Sequence, residues 1–409
     1  MIKPQVIDDE EHERVFDRVA AVDVAKASGM VCVRAPHPSR PGARRSAVRE
    51  VPATMPAVRR LAAQLAAEGV QMVTLESTSD YWRIWFYVLE AAGLAVQLVN
   101  ASQARNVPGR PKTDKLDSVW DAKLTEKGLL RPSFVPPAEI RALRDYTRAR
   151  TRLTHDRTRC WQRLEKLLEG ALIKISAVAS KLTTASAQDM VRALIAGERD
   201  PVVLAGLARG RMKAKHDALV EALTGMFDDH HAELASMLLG QIEFLDASIT
   251  RLTARIEEQI AAIPQARGVD ADGSAGPDAG TGPDAIVAPA AARLDAIPGI
   301  SLELAASIIA ETGLDMSRFP DAAHLVAWAG LCPRAIQSGP RTRYGKGQGN
   351  TYLRGYLGQA AIGAAGTATF LGERYARIAR RRGGAIAQVA VARSIMTIVW
   401  HLLSDPAAR

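Results

Sequence analysis

The sequence predicts a mixed α/β domain at the amino end, a long helical and coiled-coil middle, and a mainly α-helical carboxy-terminal domain. Three observations carry this. Apolar runs of strand length alternate with helix-spaced segments in the order βββαβαβα over the first third of the chain. A heptad of Leu and Ile then runs from Leu238 to Ile256. A stretch with almost no large apolar residues, 266–289, separates that heptad from the carboxy-terminal part of the chain. The expected divisions are 1–135, 136–265, a flexible linker at 266–289, and 290–409. With 409 residues, 47% hydrophobic and 24% charged, the chain is globular and long enough for two or three cores.

"RVAAVDV" (18–24) is the first strand, "GMVCVRA" (29–35) the second after a short turn, and "SAVREVPA" (46–53) the third. Residues 55–68 have helical spacing. "VQMVTLES" (70–77) is a fourth strand of buried type, "YWRIWFYVLEAAG" (81–93) an aromatic helix, and "LAVQLVN" (94–100) a fifth strand. Pro108 to Pro111 then signals a turn, and "KTDKLDSVW" (112–120) leads into a helix. That order is a ribonuclease H-like architecture: a mixed sheet, its first three strands antiparallel, flanked by helices.

In this frame the acids acquire a meaning. Asp114 and Asp117 sit three apart, share a helix face and repel. Asp23 ends the first strand, and Glu76 ends the fourth, which this architecture places beside the first. Four carboxylates thus converge at one sheet edge. Each alone reads equally as a surface or capping acid; the joint arrangement points to divalent cations held between them. Two Mg²⁺ ions in such a cluster can activate an attacking oxygen and stabilise the leaving one in phosphodiester cleavage. Asp121 continues the same helix face without being needed as a ligand. Sugar kinases and actin-like ATPases also open with a first-strand Asp, but they need glycine there for phosphate. Here the turn reads "DVAKAS", and no Gly-rich phosphate loop of the Walker type occurs.

Residues 138–170 form a helix with nine Lys or Arg against five acids, suited equally to a phosphate backbone or to ordinary packing. Leu238, Ile242, Leu245, Ile249, Leu252 and Ile256 alternate Ile and Leu at four-three spacing. That pattern favours a two-stranded parallel coiled coil, hence a homodimer or a tetramer on DNA; packing back onto the chain is the alternative. "LDAIPGISLELAASIIAETG" (294–313) reads as a helix-hairpin-helix whose turn, at Gly299, can offer backbone N–H groups to a phosphate. Residues 330–350 read as a Gly-rich basic loop. From Arg334 to Arg382 there are ten Lys or Arg and one acid, Glu373; that surplus of nine equals the net charge of the whole chain. Charge so concentrated suggests phosphate contact, with Arg334, Arg341, Arg343, Lys346, Arg380, Arg381 and Arg382 as candidates.

The first 20 residues are polar and acidic, with no apolar signal core. The most apolar stretch, near the carboxy end, is interrupted by Arg393. Cys32, Cys160 and Cys332 are far apart and form neither a disulfide framework nor a zinc signature. A cytoplasmic protein, nucleoid-associated when bound to DNA, is expected.

"VDVAK" (22–26), "LESTSDYW" (75–82), "RPKTDKLDS" (110–118), "IPGI" (297–300) and "AWAGLCPRAIQSGPRTRYGKGQGNTYLRGYLGQAA" (327–361), in that order, resemble the IS110 insertion-sequence transposases, the DEDD recombinases of bacterial mobile elements. The resemblance implies a RuvC-like domain and a carboxy-terminal transposase domain joined by a coiled coil. It implies metal-binding carboxylates at Asp23, Glu76, Asp114 and Asp117, and a serine nucleophile at Ser338. It also implies a structured guide RNA from the element, pairing with donor and target DNA. Residue chemistry alone would leave Ser338 as a turn serine. The helical middle and the linker are longer than in compact members. A RuvC-like structure-specific endonuclease, of the Holliday-junction resolvase type, would need the carboxylates but not Ser338. A non-catalytic nucleic-acid-binding protein would need neither.

Overall fold

A computed structural model describes residues 15–77, 79–100, 114–267, 289–338, 341–345 and 349–405. The chain divides into two compact units, Met1–Val135 and Pro136–Arg409.

The first unit is a five-stranded sheet of β1 (Val19–Val24), β2 (Ser28–Pro36), β3 (Arg44–Pro52), β4 (Met72–Ser77) and β5 (Val96–Asn100). Its strand order is β3-β2-β1-β4-β5. β3, β2 and β1 pair antiparallel, while β1–β4 and β4–β5 are parallel. This is the expected element order, and a mixed sheet flanked by helices is compatible with a ribonuclease H-like domain. The central strand β1 is covered on both faces. Ala20, Val22 and Val24 pack with α1 (Met55–Ala67) and α2 (Trp82–Ala91), where Leu61, Leu65, Trp85 and Leu89 are buried. Val19 and Ala21 face the other way, onto Ala122 of α3 (Asp114–Glu126). A strand buried on both faces must be apolar almost throughout, as "VAAVDV" is. β3, an edge strand, is largely exposed and carries Arg45, Arg49 and Glu50, charges that discourage edge pairing.

The second unit is built on two long helices, α4 (Ala138–Gly170) and α9 (Asp229–Ala262). They run antiparallel. Arg150 donates to Thr253 at 2.7 Å, Arg157 pairs with Asp246 at 2.6 Å, and the Cys160 thiol lies 3.6 Å from Gln241 Oε1. The parallel coiled-coil expectation is corrected here. Ile242, Ile249 and Ile256 are buried within this chain, Ile242 in a core with Leu164 and Leu168 of α4 and Ile256 in another with Ile140 and Leu143, so the heptad's isoleucines already have a cover. Four-three spacing specifies a seam but not which helix fills it. Among α4's basic residues, Arg144, Arg148, Arg150 and Arg157 form ion pairs with acids of this unit, which favours a packing role for the helix.

Two cores form along this pair. One joins Leu164 and Leu168 of α4 and Ile242 of α9 to α5 (Ile175–Ala179), α6 (Ala185–Ile195), α7 (Pro201–Gly206) and α8 (His216–Leu223). The other joins Ile140, Leu143, Ile256 and Ile260 to α10 (Pro289–Asp295), α11 (Leu302–Thr312), α12 (Ala322–Trp328), α13 (Thr351–Ala365), α14 (Phe370–Arg382) and α15 (Gly384–Ser404). The helical middle and the carboxy-terminal segment therefore share one core, across the division expected at 265. The expected linker falls mostly on 268–288, outside the described residues. α15 is long and apolar enough to cross a membrane, yet Val391, Ile395, Met396 and Val399 are buried in the protein core.

The expected long loop is in part a hairpin. β6 (Arg334–Ser338) and β7 (Arg341–Gly345) pair antiparallel, with Arg334 opposite Gly345 and Ser338 opposite Arg341. Backbone pairing satisfies N–H and C=O groups that a loop would leave to water.

Candidate active site

Asp23 and Glu76 are register partners on the parallel strands β1 and β4. Alternation assigns their faces. Val19 and Ala21 meet Ala122 of α3, so Asp23, two residues on, shares that face. Thr74 meets Thr125 of α3, Oγ1 to Oγ1 at 2.7 Å, so Glu76 shares it too. Glu76 is 4% exposed and Asp23 is half-buried.

Polar contacts fix α3 on this face. Gln97 Nε2 donates to Thr74 Oγ1 at 2.7 Å, and Thr125 Oγ1 donates to the Asp121 carbonyl at 2.6 Å. With the Thr125 proton engaged by that carbonyl, Thr74 is the donor between the two threonines. At the helix end, Glu126 receives Arg34 Nε and lies 3.2 Å from Arg44 Nε, while its carbonyl accepts from Val15 N at 3.0 Å and Phe16 N at 3.3 Å. α3 thus ends near the start of β1 and runs antiparallel to β1 and β4. Going back from Thr125, Asp121 lies about 6 Å up the helix, and Glu76 lies about 6.6 Å along β4 from Thr74. Asp121 is buried at that level, and half-buried Asp117 is one turn further. Asp114 opens the helix. The fold brings Asp23, Glu76 and Asp117 toward one end of the sheet, with Asp114 on the adjoining turn.

All the placed donors here are carboxylates. Hard oxygen ligands from separate elements suit a hard divalent cation. A different group, Asp228, His230 and His231, brings potential ligand atoms together at the start of α9. It is a helix cap: the Asp228 side chain accepts from the backbone of His231, and His231 Nδ1 accepts from Asp228 N at 3.2 Å. A helix N-terminus repels cations.

The candidate nucleophile lies in the second unit. Ser338 is the last residue of β6. The backbones at the hairpin's base approach closely: a Cβ on Gly349 would lie 2.5 Å from Gly330 N. Asn350 then caps α13, its Oδ1 accepting from Tyr352 N at 3.0 Å and Leu353 N at 3.2 Å.

Residues 20–173 match a model described as a DEDD transposase of IS110 type, and residues 291–375 match the model of the Transposase IS116/IS110/IS902 family. The chain belongs to the IS110 family of transposases. The first matched segment spans Asp23, Glu76, Asp114 and Asp117, and the second spans Ser338. An IS110 transposase is an enzyme that recombines DNA, and a DEDD domain works with divalent metal. No match is found among curated proteins.

The remaining candidates are distributed over the second unit. Arg380, Arg381 and Arg382 are exposed in the last turn of α14. Arg334, Arg341 and Arg343 lie on the hairpin strands, and Lys346 falls outside the described residues. Gly299 is half-buried at φ +88°, and a Cβ there would lie 2.2 Å from the Ala360 carbonyl of α13. Close helix packing by itself requires this glycine. Sequence reasoning missed Glu311, an acid in the apolar run "LAASIIAETG". It is fully buried and takes both Arg148 Nε at 2.7 Å and Arg148 Nη2 at 2.8 Å. Burial works against the charge on Arg148, but the Glu311 carboxylate prevails and holds its pKa above the ordinary value. An acid inside an apolar helical run was the available signal.

Proposed function

We propose that this transposase moves its own insertion sequence by cutting and rejoining DNA through Ser338, with Mg²⁺ at the carboxylates and an element-encoded RNA as guide. The observation that carries this is the register pairing of Asp23 with Glu76 on the face covered by α3. Asp23, Glu76, Asp114 and Asp117 would hold the metal, which when bound supplies charge stabilisation at the reacting phosphate. Ser338 Oγ attacks phosphorus. A P–Oγ bond forms, the bond to the deoxyribose oxygen breaks, and the serine proton ends on that leaving oxygen. The phosphodiester energy is kept in the protein–DNA bond, so rejoining needs no nucleotide cofactor. Arg334, Arg341, Arg343 and Lys346 neutralise phosphoryl oxygens, while Gly299 and Arg380 to Arg382 extend the contact along donor and target DNA. The protein works in the bacterial cytoplasm at the nucleoid.

The test is recombination by purified protein with the element's ends and flanking RNA, stopped with detergent. Labelled DNA should stay bound to wild-type protein and not to Ser338→Ala, which still folds and binds. Cleavage giving only free strand ends at every time would favour direct hydrolysis of the resolvase type.

A further inference from the structure

We propose that Glu311 and Asn350 are positioning residues: a buried clasp that holds the base of the hairpin carrying Ser338. The inference deepens the Ser338 reading and rests on it for its catalytic consequence.

The hairpin needs such a device. A two-stranded ribbon is marginal on its own in water. Its nucleophile would have to be held within a fraction of an ångström of the productive geometry. The two ends of the segment are close at Gly330 and Gly349, and Asn350 comes directly after the second of them. Asn350 uses both ends of its amide. Its Oδ1 accepts from Tyr352 N and Leu353 N, and its Nδ2 donates to Glu311 Oε2.

Glu311 cannot easily move. Its side chain is fully buried and held in two parallel hydrogen bonds by Arg148. Arg144 secures the same turn of α11 from the backbone side, donating to Ala310 O at 2.8 Å and Glu311 O at 2.7 Å. The Arg148 guanidinium also lies over the Tyr352 ring, 4.6 Å from its centroid, and Thr151 and Tyr356 hydroxyls meet at 2.8 Å one turn on. The exit of the hairpin is thus tied through a charge-assisted bond to α11 and α4. Such bonds are the strong ones, and a partly buried one fixes geometry. A helix cap alone would need only the Asn350 oxygen; the amide nitrogen on a buried carboxylate is the additional feature.

Asn350→Ser separates the two roles, because serine caps a helix about as well as asparagine but cannot reach Glu311 with an N–H. Glu311→Ala would leave half-buried Arg148 without its carboxylate and is not informative. Two readouts are needed on full-length protein: hydrogen exchange of the 334–345 amides, and the rate of serine–DNA adduct formation at saturating DNA. Asn350→Ser should melt within a few degrees of wild type and bind DNA with unchanged affinity. Its hairpin amides should exchange roughly ten- to hundredfold faster, as loss of a hydrogen bond to a charged group predicts. Adduct formation should slow with them. Wild-type exchange in Asn350→Ser, or faster exchange with an unchanged adduct rate, overturns the clasp. A wild-type protein that forms no adduct sinks the Ser338 reading instead, and the exchange arm then decides the clasp alone.

Discussion

Asp23 and Glu76 face one another across β1 and β4 as partners in a parallel ladder, on the side of the sheet that α3 covers. Two acids so placed repel when no cation lies between them, and the stability of the protein should report it. Without metal, Asp23→Asn should melt above wild type; with Mg²⁺, wild type should gain and the variant should not. Strand cleavage should fall roughly 100-fold or more in Asp23→Asn or Glu76→Gln, the loss expected for one transition-state-stabilising group. Calorimetry with and without EDTA, alongside a cleavage assay, checks both halves. Full cleavage by either variant would remove that residue from the site.

Gly299 separates packing from DNA contact. Its φ is +88°, and a Cβ added to it would stand 2.2 Å from the Ala360 carbonyl, so Gly299→Ala requires the turn and α13 to move apart. It should cost about 3 kcal/mol or more of stability, read from urea titration. A variant as stable as wild type but weakened on DNA would return the residue to the binding surface alone.

Ile249 is 7% exposed inside the second unit. Ile249→Asp should therefore destabilise the fold itself, by roughly 4 kcal/mol, because it buries an unpaired charge. Chemical denaturation at two protein concentrations distinguishes this from a loss of association. A midpoint unchanged by the substitution would contradict the packing.

Arg380, Arg381 and Arg382 should set part of the salt dependence of binding. Replacing all three by alanine should lower the log–log slope by about 0.9 for each phosphate they neutralise. Fluorescence anisotropy over a salt series measures it. An unchanged slope would leave these arginines to the dipole of α14, whose carboxy end they also suit.

Cys32 is buried under α3, and that burial pushes its thiol up to about 11, against the weaker opposing pull of Arg34, Ser46 and Lys123. The folded state holds this proton more tightly than the unfolded chain, whose thiol loses it near 9.0. The stabilisation is therefore complete below pH 9 and declines as the pH rises toward 11. In native protein at about pH 8, just below the ordinary thiol range, iodoacetamide should alkylate the half-buried Cys332 well before Cys32. Equal rates would mean that α3 opens readily from the sheet.

The sheet was legible because its signals are local. Strand length, β-branching and the two apolar faces of "VAAVDV" need no knowledge of the rest of the chain. The acids Asp23 and Glu76 could be placed because each ends such a strand. What covers a helix is a different kind of information. The Ile242–Ile249–Ile256 seam has the same spacing whether its cover is a second protomer or α4, and Cys160 of α4 is 81 residues from its partner Gln241. The role of Glu311 was hidden for a related reason, although an acid in an apolar run marked its position. Its partners Arg144 and Arg148 lie 167 and 163 residues upstream, and only their meeting makes a buried acid tolerable.

The paired helices α4 and α9 act as a mast. Their far end carries the bundle of α5 to α8 on its own apolar core, while their near end is built into the core with α10 to α15. A mast of this kind insulates its two ends. Residues 171–228 can grow, shrink or be exchanged among relatives without disturbing a single side chain around Glu311, provided the helices are rejoined in register. Heat should likewise melt the tip and the base as separate steps. The same geometry makes length adjustable: each heptad added to both helices would carry the tip about 10 Å farther out, a spacer that evolution can tune independently of the chemistry.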